Sequence, residues 1–423
     1  MFSRTTLPSI TAIALAFTLT ACAGAGTGGA GASGPSNAAG DDTALGDGHG
    51  AIAGVQELPE PQLHLLTLDE TGAIAHLDLL DESVDELGTA DGVADVTDVA
   101  TEGRYAYLVR PDAGAVTVVD SGVWTWNHGD HFHYYRGEAS VLGDVEGSGR
   151  ATVAANDAGA GLFFVETGEA IVLDAATLAD GSLDEGVRVS VEPHDGFIVP
   201  VGSSALVTEP GADGAPASVR VVDGDGRQGE PVECADAAGT IATVVGVVVG
   251  CRDGALLATI GDPGVVEIER IPYPADAGAP PATEFRAREG RPTVAAVAGT
   301  SGIWLLDTRT RSWALLDAGT PILQASAVDD ADEHVLALAA DGRVRVLSGA
   351  TGEVLAETEP IVAASVADPA LVAGVELIAD QHRAYLNGPA ERRLYEIDFA
   401  DAARIARTFD TAAEPRFTVE TGR

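Results

Sequence analysis

From Glu60 onward the apolar residues come in short runs, many alternating with polar ones, and Gly, Asp or Pro closes each run. That is the pattern of short β-strands, and few stretches hold the 3.6-residue period of an amphipathic helix over helical length. One unit recurs, an apolar or alternating segment that ends at a turn, usually acidic. It reads Ala75-His76-Leu77-Asp78, Thr117-Val118-Val119-Asp120, Ile171-Val172-Leu173-Asp174 and Arg220-Val221-Val222-Asp223. It returns as Thr259-Ile260-Gly261-Asp262, Trp304-Leu305-Leu306-Asp307, Arg345-Val346-Leu347-Ser348 and Tyr395-Glu396-Ile397-Asp398. The copies stand about 46 residues apart on average, the length of a four-stranded propeller blade. Another strand precedes them, as in Tyr105-Ala106-Tyr107-Leu108-Val109 and Val335-Leu336-Ala337-Leu338.

The expected fold is all-β: a β-propeller of eight four-stranded blades over residues 61–423. Seven blades is the second choice, if the first copy merges with the last. A two-domain β-sandwich is disfavoured, because the repeat crosses any midpoint without a linker. The first copy lacks an innermost strand, and Arg416-Phe417-Thr418-Val419 is expected to supply it as a C-terminal closing strand. Closure would remove the open sheet edges that invite aggregation.

The first 60 residues have a different pattern. Arg4 is followed by an apolar stretch over residues 7–19, shorter than the roughly 20 residues needed to span a bilayer. It reads as a signal peptide, residues 1–21. The stretch ends in Leu19-Thr20-Ala21-Cys22, which resembles the bacterial lipobox, so Cys22 is expected to carry a lipid. Residues 22–60, rich in Gly, Ala and Asp, have no hydrophobic period and read as a flexible tether. The expected location is extracytoplasmic, lipid-anchored to the outer face of the cell membrane.

Charge narrows the partners. The chain carries 65 acidic and 24 basic residues, a net charge of −41, and every basic residue is Arg. Such a surface repels nucleic acid and anionic lipid. Of three cysteines, Cys234 and Cys251 remain beside Cys22. An oxidising compartment permits them to pair, which would add about 3 kcal/mol; the alternative is two buried free thiols.

The chemistry concentrates in one place. Three of nine histidines fall in His128-Gly129-Asp130-His131-Phe132-His133. Imidazole nitrogen ligates Zn²⁺ well, and three protein ligands plus a fourth group make a tetrahedral site. On an extended chain His131 and His133 share a face, His128 can fold back through Gly129, and Asp130 can ligate or fix a ring tautomer. The alternative is a polar loop whose histidines pack on Trp124, Trp126, Tyr134 and Tyr135. The interval from Asp120 to Asp174 is the longest in the repeat, so the cluster reads as an insertion. It sits either in a connection between blades, at the same channel mouth as His194 and Asp195, or in a hairpin before an outer strand, on the opposite face. His49, in the tether, is a possible mobile ligand. His64, His76, His334 and His382 stand singly in or beside strands and read as structural.

Asp120-Ser121-Gly122-Val123-Trp124 followed by His128-Gly129-Asp130-His131-Phe132-His133-Tyr134-Tyr135 resembles the signature of the AztD family of periplasmic zinc metallochaperones. The resemblance runs over residues 63–419. It implies a β-propeller that binds zinc, hands it to the solute-binding protein of a zinc ABC importer, and carries a Cys234–Cys251 pair. The chain departs from the family where a double His is expected and His194-Asp195 stands, and where residues 150–153 and 237–240 hold no histidine.

The expected function is therefore a monomeric zinc-binding lipoprotein with His128, Asp130, His131, His133, His194 and Asp195 as candidate ligands. The rivals are a propeller lipoprotein that docks proteins without metal, and a lactonase- or quinoprotein-like enzyme. Against the last, the chain has no Gly-x-Ser-x-Gly, phosphate-binding Gly loop or His-Glu-x-x-His.

Overall fold

The computed structural model describes residues 54–89, 96–127, 131–262 and 264–423. The signal peptide, Cys22, His49, His128 and Asp130 lie outside the described residues. Among those described, two five-residue α-helices, Ala175–Ala179 and Ala363–Ala367, interrupt an otherwise all-β chain. Eight four-stranded antiparallel sheets account for most of it.

The second sheet shows the plan. Its strands run in order as Asp98–Thr101, Tyr105–Arg110, Ala115–Asp120 and Ser140–Glu146. The two middle strands are buried at every position, which is why they read as near-continuous apolar runs. The repeating segments of the sequence are the third strands of the eight sheets. In five of them the closing Asp is a local device: its carboxylate accepts the backbone N–H two residues on. Leu80 donates to Asp78 at 2.7 Å, Gly122 to Asp120 at 2.8 Å and Arg309 to Asp307 at 2.8 Å. This Asx turn starts the reversal into the fourth strand.

The sheets pack face to face. Tyr107 and Val116 of the second sheet meet Leu162 and Phe164 of the third, and Leu336 and Val346 of the seventh meet Leu386 and Ile397 of the eighth. Close approach has a glycine at its centre: a Cβ on Gly161 would lie 2.0 Å from the Ile198 carbonyl oxygen of the next sheet. The last strand, Pro415–Thr421, pairs with His64–Asp69 and completes the first sheet. Each sheet touches the next in chain order, and the eighth touches the first through Pro415–Thr421. The arrangement is consistent with a β-propeller, and every individual sheet is open.

The first strands line a cavity of 940 Å³. Glu102, Glu289 and Glu420 lie on its wall. Oε1 of Glu102 accepts from Tyr105 N at 2.9 Å, while its Oε2 is buried and accepts no hydrogen bond among the described residues. Burial pushes this carboxyl up to about 8. A carboxyl raised on folding binds more protons in the native than in the unfolded state, so its contribution falls as pH rises from its unfolded value through 8. Glu102→Gln should therefore raise the melting temperature at about pH 8.5, with the gain shrinking toward about pH 5.5. Parallel melts at both pH values check this; an equal shift at both would reject the assignment.

Candidate metal centre

The histidine cluster belongs to a hairpin inserted between the third and fourth strands of the second sheet. Its strands are Val123–Asn127 and Phe132–Arg136. This is the hairpin placement of the two that the sequence left open, so the cluster does not sit in a connection between sheets. The hairpin is one part of a separate three-stranded sheet. The third member is Gln56–Leu58, with Glu57 opposite Tyr135. The end of the expected tether is thus ordered strand.

The hairpin rests on both neighbouring sheets. Tyr135 is 1% exposed and stacks on Trp124, ring centroids 5.2 Å apart. The Arg104 guanidinium lies over the Trp124 ring, 3.9 Å from its centroid. Arg136 binds Asp78 at 3.0 Å, and the Thr125 hydroxyl donates to the Gly422 carbonyl at 2.7 Å. These anchors fix the base of the hairpin.

Alternation along Phe132–Arg136 places His131 and His133 on one face, and their rings stand 4.6 Å apart. His131 is exposed and His133 buried. His133 also packs near Trp126, at 5.5 Å. Its Nδ1 lies 2.6 Å from Glu57 Oε1. A carboxylate on one nitrogen fixes the tautomer with the lone pair on the other, the usual support for a metal-ligating imidazole. Glu57 was not visible as a site residue in the sequence, since it lies in a stretch that reads as tether and reaches His133 only through strand pairing.

His194 and Asp195 are placed elsewhere, in the connection from the third to the fourth sheet. Nδ1 of His194 contacts the Glu192 carbonyl at 2.7 Å and Nε2 the Thr208 hydroxyl at 2.8 Å, so both nitrogens are used. Asp195 pairs with Arg150 at 2.7 Å. The structure gives both residues local partners and does not bring them to the hairpin. His64 and His76, read singly in the sequence, stack on each other at 4.2 Å beneath the hairpin. Burial drives His76 down to about 3 and also lowers His64, so both are neutral near neutral pH. His76 bonds the Thr421 hydroxyl at 2.9 Å, a packing role. Among the described residues, one group of three metal-ligating side chains has donor atoms within 4.8 Å of one another: Asp330, Asp332 and His334. The sequence signal was there as Asp-x-Asp-x-His, hidden among many turn-forming aspartates.

No family model matches the chain. Solved structures do. The apo structure of AztD from Citrobacter koseri superposes with a TM-score of 0.73 at 19% identity, over 86% of this chain and 98% of that one. The chain is AztD-like in fold. A second structure of Citrobacter koseri AztD gives 0.72 at 20% identity, over 86% and 99%. Saccharomyces cerevisiae Sqt1 gives 0.51 at 12% identity, over 78% and 91%. The AztD match spans nearly the whole of that protein rather than a fragment of it.

Proposed function

We propose that the chain is an AztD-like zinc metallochaperone, an eight-bladed propeller that carries Zn²⁺ on the hairpin 123–136 and passes it to the solute-binding protein of a zinc ABC importer. The observation that carries this reading is the His131–His133 pair, 4.6 Å apart, with Glu57 on Nδ1 of His133. His128 and Asp130, which stand between the two strands in sequence, would complete a tetrahedral set. The circuit of contacts between successive sheets supports eight blades, with Pro415–Thr421 closing the ring. Cys22 carries the lipid, and the body stands outside the cell membrane as a monomer without catalytic chemistry. Buried His133, on the strand Phe132–Arg136, holds the ion. Exposed His131 and Phe132, the latter 55% exposed, leave one side open to a partner's competing ligands.

The test is competition between the protein and a chelator for Zn²⁺, at an ionic strength that screens weak attraction to the acidic surface. The parent should hold zinc tightly, and His128→Ala/His131→Ala/His133→Ala should lose the tight phase while melting like the parent. Glu57→Gln should weaken binding by about 10–100-fold, as loss of a supporting carboxylate does. Affinity should fall on acidification, because imidazole ligates only when neutral. If the parent binds no more zinc than the triple variant, the metallochaperone reading falls and the hairpin becomes a protein-docking element.

A further inference from the structure

We propose that Asp330, Asp332 and His334 form a second divalent-cation site, separate from the hairpin. Asp330 and Asp332 lie in the turn between Ile322–Ala327 and His334–Ala339, the first two strands of the seventh sheet, and His334 opens the second of them. Each offers one ligand atom, and these atoms lie within 4.8 Å of one another.

The imidazole is built in. His334 is 8% exposed, and its ring meets Phe399 edge-on at 5.4 Å. Asp330 grips the same residue twice: Oδ1 accepts the His334 backbone N–H at 2.9 Å and Oδ2 faces Nδ1 at 2.6 Å. Nε2 makes no hydrogen bond among the described residues. The ring borders a cavity of 1080 Å³, whose wall also includes Asp332 and Asp330.

The charges nearby leave the group available. Arg291 and Arg309 bind Asp329 at 2.9 and 3.2 Å, and Arg383 binds Glu396 and Asp398, each at 3.2 Å. Among the described residues neither Asp330 nor Asp332 has an arginine within ion-pair distance. Arg288 also borders the cavity, so two carboxylates face one uncommitted guanidinium. A small dication suits that balance. Two carboxylate oxygens with one imidazole nitrogen, and positions open to the cavity, suit Mn²⁺, Fe²⁺ or Zn²⁺ better than an all-oxygen Ca²⁺ site.

This site does not rest on the hairpin reading, and the experiment separates the two. The triple hairpin variant, purified without an affinity tag and stripped with chelator, is titrated with Mn²⁺ and followed by loss of the free-ion EPR signal. One equivalent should bind. Asp332→Asn changes an exposed side chain and should weaken that binding by at least about tenfold, with Asp330→Asn doing the same and both melting near the parent. Absence of Mn²⁺ binding in the hairpin variant, or equal binding after Asp332→Asn, would overturn the site. Neither result touches zinc on the hairpin, which is read from the parent against its triple variant.

Discussion

Deleting residues 416–423 should abolish cooperative folding or lower the denaturation midpoint drastically. The deleted segment holds all but the first residue of the first strand of the first sheet, registered against His64–Leu68 at five pairs from His64↔Thr421 to Leu68↔Phe417. At about 1 kcal/mol net per ladder hydrogen bond and about 2 kcal/mol for burying Val419, the loss is on the order of 5–10 kcal/mol. That rivals the total stability of about 5–15 kcal/mol typical of a domain. The segment also ties three sheets together. Asn387 of the eighth donates to the Arg416 carbonyl at 3.5 Å, and Gly422 N donates to the Gly103 carbonyl beside the second at 2.7 Å. Arg423 pairs with Asp380 and, at 3.0 Å, with Glu420. Without it, the edge of His64–Asp69 and the apolar Leu66 and Leu68 are uncovered. Val419→Ala serves as the mild companion, expected to cost about 1–2 kcal/mol in urea unfolding with its fold intact. A truncated protein that melts like the parent, or a silent Val419→Ala, would remove the closing role.

How far the sequence carried these conclusions depends on the range of the interactions involved. The third strands were legible because most end in their own Asx turn, a device of three residues that needs no tertiary partner. The missing strand of the first sheet was legible by subtraction. The histidine pair was legible because alternation on a strand is local: His131 and His133 had to share a face. What failed to show was pairing across long separation. Glu57 meets His133 across 76 residues, and nothing in a Gly/Ala/Asp-rich stretch announces a strand. His194 drew notice as a second histidine site, yet its neighbours Thr208 and Glu192 consume both nitrogens, which only coordinates reveal. Asp330 and Asp332 were hidden for the opposite reason: turn aspartates are so common here that two more carried no signal.

Removing the disulfide is the second large effect, and its consequence should be local before it is global. Cys234 and Cys251 are bonded, 17 residues apart in sequence. Both are buried among Val199, Leu206, Val219, Val249 and Leu256, so the bond joins the fourth sheet to the fifth inside one apolar cluster. Cys234→Ala/Cys251→Ala should cost about 3 kcal/mol by the chain-entropy argument for a loop of this length. Alanine keeps the pocket apolar, whereas serine would add two buried hydroxyls seeking partners. The closed loop contains Thr240–Ala242, the three-residue first strand of the fifth sheet, which is only half-buried and pairs with Val247–Cys251 alone within its sheet. Short, half-buried pairing is the low-stability end of a fold, so amide exchange should accelerate there first. Urea unfolding of the parent should shift to the midpoint of the double variant when reductant is added, while the double variant itself stays put. Equal midpoints for oxidised parent and double variant, or unchanged exchange at Thr240–Ala242, would assign the stability of this seam to packing rather than to the bond.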